Sequence, residues 1–132
     1  MTRDDQDMSP ADAMTVQAKI EAVMQEFYDE ERWESIFMFS SEGLLMASYG
    51  NSPEHKLENI LEFNVSLINT IQHLDHHMPV NEMTVREKRG KMIVFSYFEA
   101  WREKLSLAAV ISGKKGFRRA LGRLVKFIQN LD

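Results

Sequence analysis

Two neighbouring segments constrain this chain more than any other feature. Lys91–Glu99 (KMIVFSYFE) and Lys104–Ser112 (KLSLAAVIS) read as strands that are apolar on both sides. In the first, Met92, Val94 and Phe98 face one way, and Ile93, Phe95 and Tyr97 the other. A strand with two apolar faces belongs in a sheet covered on both faces. The small residues Ala108 and Ala109 of the second allow a helix to approach closely. Layers of helix must therefore lie above and below one sheet.

The remaining periodicities supply those layers. Val16, Ile20, Val23, Met24 and Phe27 recur at helical spacing, predicting a helix over about Ala13 to Glu31. Thr15 or the Ser9-Pro10 pair would start it. Ser35–Ser40 and Leu44–Tyr49 are short apolar runs around Ser41-Glu42-Gly43, the signature of a hairpin. A second helix follows to His76, with Ser52 as cap and Pro53 at its first position. Its apolar residues, from Leu57 to Leu74, cover an arc of roughly 200° at 100° per residue. A sheet covers only about half of that arc, so the helix predicts a further cover, such as a second copy of the chain.

Glu82–Lys88 (EMTVREK) alternates with polar residues dominant, as an edge strand protected by charge does. Arg89-Gly90 turns the chain into the first two-faced strand, and Trp101-Arg102-Glu103 turns it again. A last helix over Lys115 to Asn130 carries a narrower apolar stripe and a basic face of Arg118, Arg119, Arg123 and Lys126. The order α-β-β-α-β-β-β-α predicts an α+β fold, a three-layer α/β/α sandwich around a five-stranded antiparallel sheet. Residues 13–132 form a single domain in this reading, and residues 1–12, with four Asp and one Pro, a disordered tail.

Charge is divided along the chain. Residues 1–82 hold 4 Lys/Arg and 16 Asp/Glu, and residues 83–132 hold 12 and 4, giving −12 and +8 for a net −4. The acidic first helix and the basic last one are expected to share a side of the sheet and neutralise each other. There is no cysteine, which removes disulfides, thiolate zinc sites and cysteine nucleophiles. No apolar run matches a membrane span, and Met1–Asp12 does not resemble a signal peptide, so a cytoplasmic location is expected. Gly113-Lys114-Lys115-Gly116 lacks the further glycine and Ser/Thr of a phosphate-binding loop, and no nucleophile-base arrangement stands out.

Several motifs together resemble the roadblock/dynein light-chain family over about residues 13–131. They are the hairpin IFMFSSEGLLMAS, the long helix PEHKLENILEFNVSLINTIQHL, the hairpin TVREKRGKMIVFSYF, and the strand and helix LSLAAVISGKKGFRRALGRLVKFI. Glu42-Gly43 replaces the family's frequent Asp-Gly, and Glu30-Glu31-Arg32-Trp33 is bulkier than the usual approach to the first strand. The resemblance implies a profilin-like fold and a cytoplasmic homodimer, built from the middle helix and the edge strand after it. Phe63, Leu67, Ile71, Leu74, Met83, Thr84, Val85 and Arg86 would then form the dimer interface. It further implies a non-catalytic scaffold or regulator of a Ras-like small GTPase, without cofactor and without nucleic acid.

Candidate partner contacts are Glu58, Glu62 and His73, which ring the middle helix, and Trp101, an aromatic residue in a turn. Arg86, Lys88, Arg89 and Lys91 make a basic hairpin that serves either an acidic partner or edge protection. His73, Asp75, His76 and His77 are the only ligand-like group, and a polar helix end explains them better than a metal. The alternative function is a small-molecule sensor, with Met38, Met46, Met83 and Met92 lining an adaptable pocket between sheet and helix.

Overall fold

A computed structural model of the protein describes residues 15–52, 56–74, 80–112 and 116–131. The elements follow the expected order: α1 (Val16–Glu31), β1 (Ser35–Phe39), β2 (Leu45–Gly50), α2 (Leu57–Leu74), β3 (Glu82–Arg86), β4 (Lys91–Ala100), β5 (Glu103–Ser112) and α3 (Arg118–Gln129). The strands form one antiparallel sheet in the order β2-β1-β5-β4-β3. The tail expected over residues 1–12, the start of α2 at Pro53, and its continuation to His76 lie outside the described residues.

Local chemistry fixes the element ends. The Thr15 hydroxyl accepts from the Ala18 amide at 3.1 Å, capping α1. Arg32 closes that helix in the left-handed region at φ 60°, donating its amide to the Tyr28 carbonyl at 3.0 Å. The β1–β2 turn is held by the Ser40 hydroxyl, which accepts from the amides of Glu42 and Leu44 at 3.2 Å each. At Gly50 a Cβ would come within 2.5 Å of the Glu34 carbonyl, and φ is +92°. No other residue fits there without moving the backbone.

Period-two alternation sorts the core into two halves. Ile36, Met38, Met92, Val94, Leu107 and Ala109 face Ile20, Met24 and Phe27 of α1 and Leu121, Leu124 and Ile128 of α3. Phe37, Phe39, Ile93, Phe95, Ala108 and Val110 face Ile60 of α2, with Leu57, Leu61 and Leu67 packed beside it. β4 and β5 are thus covered on both sides, as their composition requires. α1 and α3 lie together on one face, where Arg123 approaches Glu31 at 3.8 Å and stacks over the Phe27 ring at 5.2 Å. An exposed pair of this kind contributes no more than about 1 kcal/mol, but it places the acidic and basic helices as neighbours.

A candidate interaction surface on α2 and β3

α2 uses its apolar arc in two ways. Ile60, Asn64 and Ile71 are buried against the sheet. The flanks of the arc are not: Phe63 is 44% exposed and Val65 45%. The two flanks meet different parts of the fold. The Val65 side lies over the β1–β2 turn, where a Cβ on Gly43 would come 3.2 Å from its methyl group. The Phe63 side opens toward β3, and an open groove of about 530 Å³ runs there between Asn59, Glu62, Phe63 and Ser66 of α2 and Val85, Glu87 and Ile93 below.

β3 is the last strand of the sheet, paired only with β4 among the described residues. Its register, Met83 opposite Phe95 and Val85 opposite Ile93, turns Met83 and Val85 to the α2 side. Thr84 and Arg86 are exposed and face the α1–α3 side. Among the described residues the outer rim of β3 therefore offers backbone groups without a strand partner, beside an exposed aromatic ring. Such an edge is a template for another strand unless something blunts it. The opposite edge is treated differently: the Glu21 carboxylate of α1 accepts from the Ser48 amide of β2 at 2.9 Å.

Of the residues expected at a dimer interface, the structure brings Phe63 and Val85 into one groove. Leu67, Leu74 and Met83 are half-buried, and Leu74 lies about three helical turns from Phe63 along α2. Ile71 is 7% exposed and spends its side chain inside the chain, so it leaves little area for a second copy. Glu58, Glu62 and His73 are exposed on the outer face of α2. Trp101 is 37% exposed, but its indole is held: Nε1 donates to the Leu131 carbonyl at 3.0 Å.

Two members of the basic hairpin have acidic neighbours within their own fold: Lys91 Nζ lies 2.9 Å from a Glu34 carboxylate oxygen, and Arg89 3.7 Å from Glu87. Arg86 and Lys88 remain exposed. The methionine-lined pocket does not form. Met38, Met46 and Met92 pack in the α1–α3 half of the core, whereas Met83 lies on the α2 side, so the sheet separates them. Asp75, His76 and His77 fall outside the described residues.

One feature of the α2 layer lies outside the sequence expectations. Asn64 sits in the middle of the apolar arc and is fully buried, and the Ser106 hydroxyl of β5 donates to its Oδ1 at 3.2 Å. Tyr97 lies opposite Ser106 in the β4–β5 register. The Tyr97 hydroxyl and Asn64 Nδ2 are buried without a partner among the described residues, and burial pushes the Tyr97 phenol up from its ordinary range. A polar residue interrupting an apolar stripe was the available signal.

No family model matches the sequence, and no curated protein matches it. Solved structures do. MglB of Myxococcus xanthus superposes with a TM-score of 0.68 at 10% identity, over 84% of this chain and 85% of that one. A roadblock/LC7 domain from Streptomyces avermitilis gives 0.63 at 13% identity, over 83% and 90%. The gliding protein MglB from Thermus thermophilus gives 0.60 at 12% identity, over 89% and 87%. With its sheet order, its two helices on one face and its single long helix on the other, this chain has the roadblock/LC7 fold.

Proposed function

We propose that the protein is a cytoplasmic homodimer that acts as a non-catalytic adaptor or regulator of a Ras-like small GTPase. The observation that carries the dimer is the exposed Phe63 ring beside the open edge of β3. A second copy, related by a twofold axis, would pair β3 with β3 and cover both Phe63 side chains in one continuous sheet-and-helix interface. Phe63, Leu67, Leu74, Met83, Thr84, Val85 and Arg86 form it in this reading, with Ile71 supporting α2 from beneath. The fold and the motif resemblance support the regulatory role. Among the described residues no helix is long and apolar enough to cross a membrane.

A paired α2 platform would present Glu58, Glu62 and His73 to the partner, and Trp101 would serve as an anchor outside it. Such a platform regulates only if it binds one nucleotide state of the GTPase better than the other. The test is solution mass by light scattering for wild type and for Phe63→Glu combined with Leu67→Glu. A dimeric wild type and a folded monomeric variant are expected, since a carboxylate buried in an apolar contact is strongly disfavoured. The wild-type dimer is then used to capture small GTPases loaded with GDP or a GTP analogue. A monomeric wild type removes the homodimer, and equal capture of both states removes the regulatory role.

A further inference from the structure

The flank of α2 away from Phe63 carries a second exposed apolar patch. Six large apolar side chains are exposed among the described residues, and three of them, Leu44, Leu45 and Val65, gather here. Val65 meets the β1–β2 turn at Gly43, and Leu44 and Leu45 are the next two residues. Leu45 turns to the α2 side of the sheet, because its register partner Phe39 lies in that half of the core. Leu44 is 64% exposed although its backbone is held: its amide donates to the Ser40 hydroxyl, and its carbonyl accepts from the Ser40 amide. Its exposure is built into the turn. Along α2 the stripe continues through Leu61 and Ile68, both half-buried. Ile68 lines a cleft of about 220 Å³ together with Ser40, Ser41 and Gln72. An apolar patch with a polar rim, and with room beside it for one anchoring side chain, is the form of a protein-docking site.

Charge names the occupant. α2 from Leu57 to Leu74 and the turn from Ser40 to Leu45 together hold three Glu and no Lys or Arg. At 100° per residue, Glu58 and Glu62 lie about 20° and about 60° around the helix from Val65, and Phe63 lies roughly 160° away on the opposite flank. On the turn side stand Glu42, which is exposed, and Glu103, whose carboxylate accepts from the Ser41 hydroxyl at 3.4 Å. Lys104, which lines the cleft, has Glu99 as its register partner. Acid thus borders the apolar stripe on both sides. We infer that this surface docks an amphipathic helix of another protein, one whose apolar stripe is flanked by Lys or Arg. The chain's own residues 1–12, with four Asp and one Arg, have the sign of the rim and do not suit it. α3 is a basic helix, but its apolar stripe is buried in its own core, so a second copy does not offer one. The site borders the proposed platform at Glu58 and Glu62, yet it needs neither the homodimer nor the GTPase.

The test titrates the ¹⁵N-labelled full chain with three synthetic peptides of about four helical turns. One is an amphipathic helix of Leu and Lys, the second has Glu for Lys, and the third has Ser for Leu. The Leu–Lys helix should give saturable shifts in the amides of Gly43, Leu45, Val65 and Ile68. The other two should bind at least about tenfold more weakly, one through charge and one through lost apolar area. Leu44→Ser combined with Val65→Ser should weaken the Leu–Lys helix at least about tenfold, and Glu42→Lys several-fold. Both variants change exposed side chains only, so the fold is retained. Absence of saturable shifts, or shifts centred on Phe63 and Val85, overturns the site, as does unchanged affinity in both variants. Equal affinity for the Lys and Glu helices overturns the basic partner, and equal affinity for the Ser peptide overturns the apolar stripe. Solution mass is measured on the same proteins. A lower mass for the Leu44→Ser, Val65→Ser variant than for wild type means that a second copy covers the patch, and overturns the partner. The homodimer is tested on the opposite flank by Phe63→Glu with Leu67→Glu, so the two readings fail independently.

Discussion

The Trp101 indole donates to the Leu131 carbonyl at 3.0 Å, linking the β4–β5 turn to the end of α3 across 30 positions of sequence. Gln129 adds a second tie, its side-chain amide donating to the Glu99 carbonyl at 2.9 Å. The turn between Ala100 and Glu103 holds only two residues, and both, Trp101 and Arg102, have positive φ, 55° and 61°. That geometry suits the right-handed twist of the flanking strands, but it is costly for residues other than Gly, Asn or Asp.

Trp101→Phe should therefore lower stability by about 1 kcal/mol through the lost hydrogen bond. Arg102→Gly should raise it by about 1 kcal/mol by relieving the left-handed backbone. Urea unfolding midpoints of the two variants check both signs. The opposite directions at adjacent positions separate the indole's bond from the strain of the turn.

Two glycines should respond in opposite ways to alanine. Gly50→Ala sets a Cβ against the Glu34 carbonyl at positive φ, and a loss of more than about 2 kcal/mol is expected. Gly122→Ala places a methyl group on the exposed side of α3, where nothing lies within 4 Å, and should gain about 1 kcal/mol. Thermal unfolding of the pair gives the contrast directly.

The raised phenol of Tyr97 predicts a pH effect on the alkaline side. The unfolded tyrosine ionises near its ordinary value of about 10, while the buried one stays protonated. Above that pH the unfolded state binds fewer protons than the folded state, so stability falls as pH rises. Urea midpoints at pH values around and above the ordinary tyrosine range should decline more steeply for wild type than for Tyr97→Phe. Parallel curves would contradict the buried hydroxyl.

Asn64 and Ser106 are a polar pair in an apolar layer, and Nδ2 of Asn64 has no partner among the described residues. Replacing both, as Asn64→Leu with Ser106→Ala, removes the desolvated groups together. The double variant should be as stable as wild type or more stable by about 1 kcal/mol, whereas Ser106→Ala alone should cost about 1 kcal/mol. A double-mutant cycle in urea measures the coupling. A double variant well below wild type would mean that the pair is a net stabiliser of the α2 layer.

What a sequence reveals of a fold depends on how far apart the deciding residues lie. Element order, the two-faced strands and the edge position of β3 were legible because periodicity and turn residues act within a few positions. Met92 and Val94 against Ile93 and Phe95 divided between the two halves of the core as their alternation required. β4 runs one residue further than the sequence predicts, to Ala100, and β5 starts one residue sooner, at Glu103, since Trp101 and Arg102 carry no glycine to mark so tight a turn. The width of the α2 arc was legible, but its use was not. Ile71 turned inward and Phe63 stayed outside, and helical spacing alone assigns both to the same stripe.

The sequence by itself determined that one sheet must carry helices on both faces, because β4 and β5 have no polar side to offer water. Only the tertiary structure decided which methionines meet, which edge of the sheet remains open, and that Asn64 finds Ser106 across 42 positions. The physical reason is that burial and alternation are properties of a segment. A cavity, a leftover donor or an open edge is a property of segments brought together, and it depends on where every other side chain has already gone.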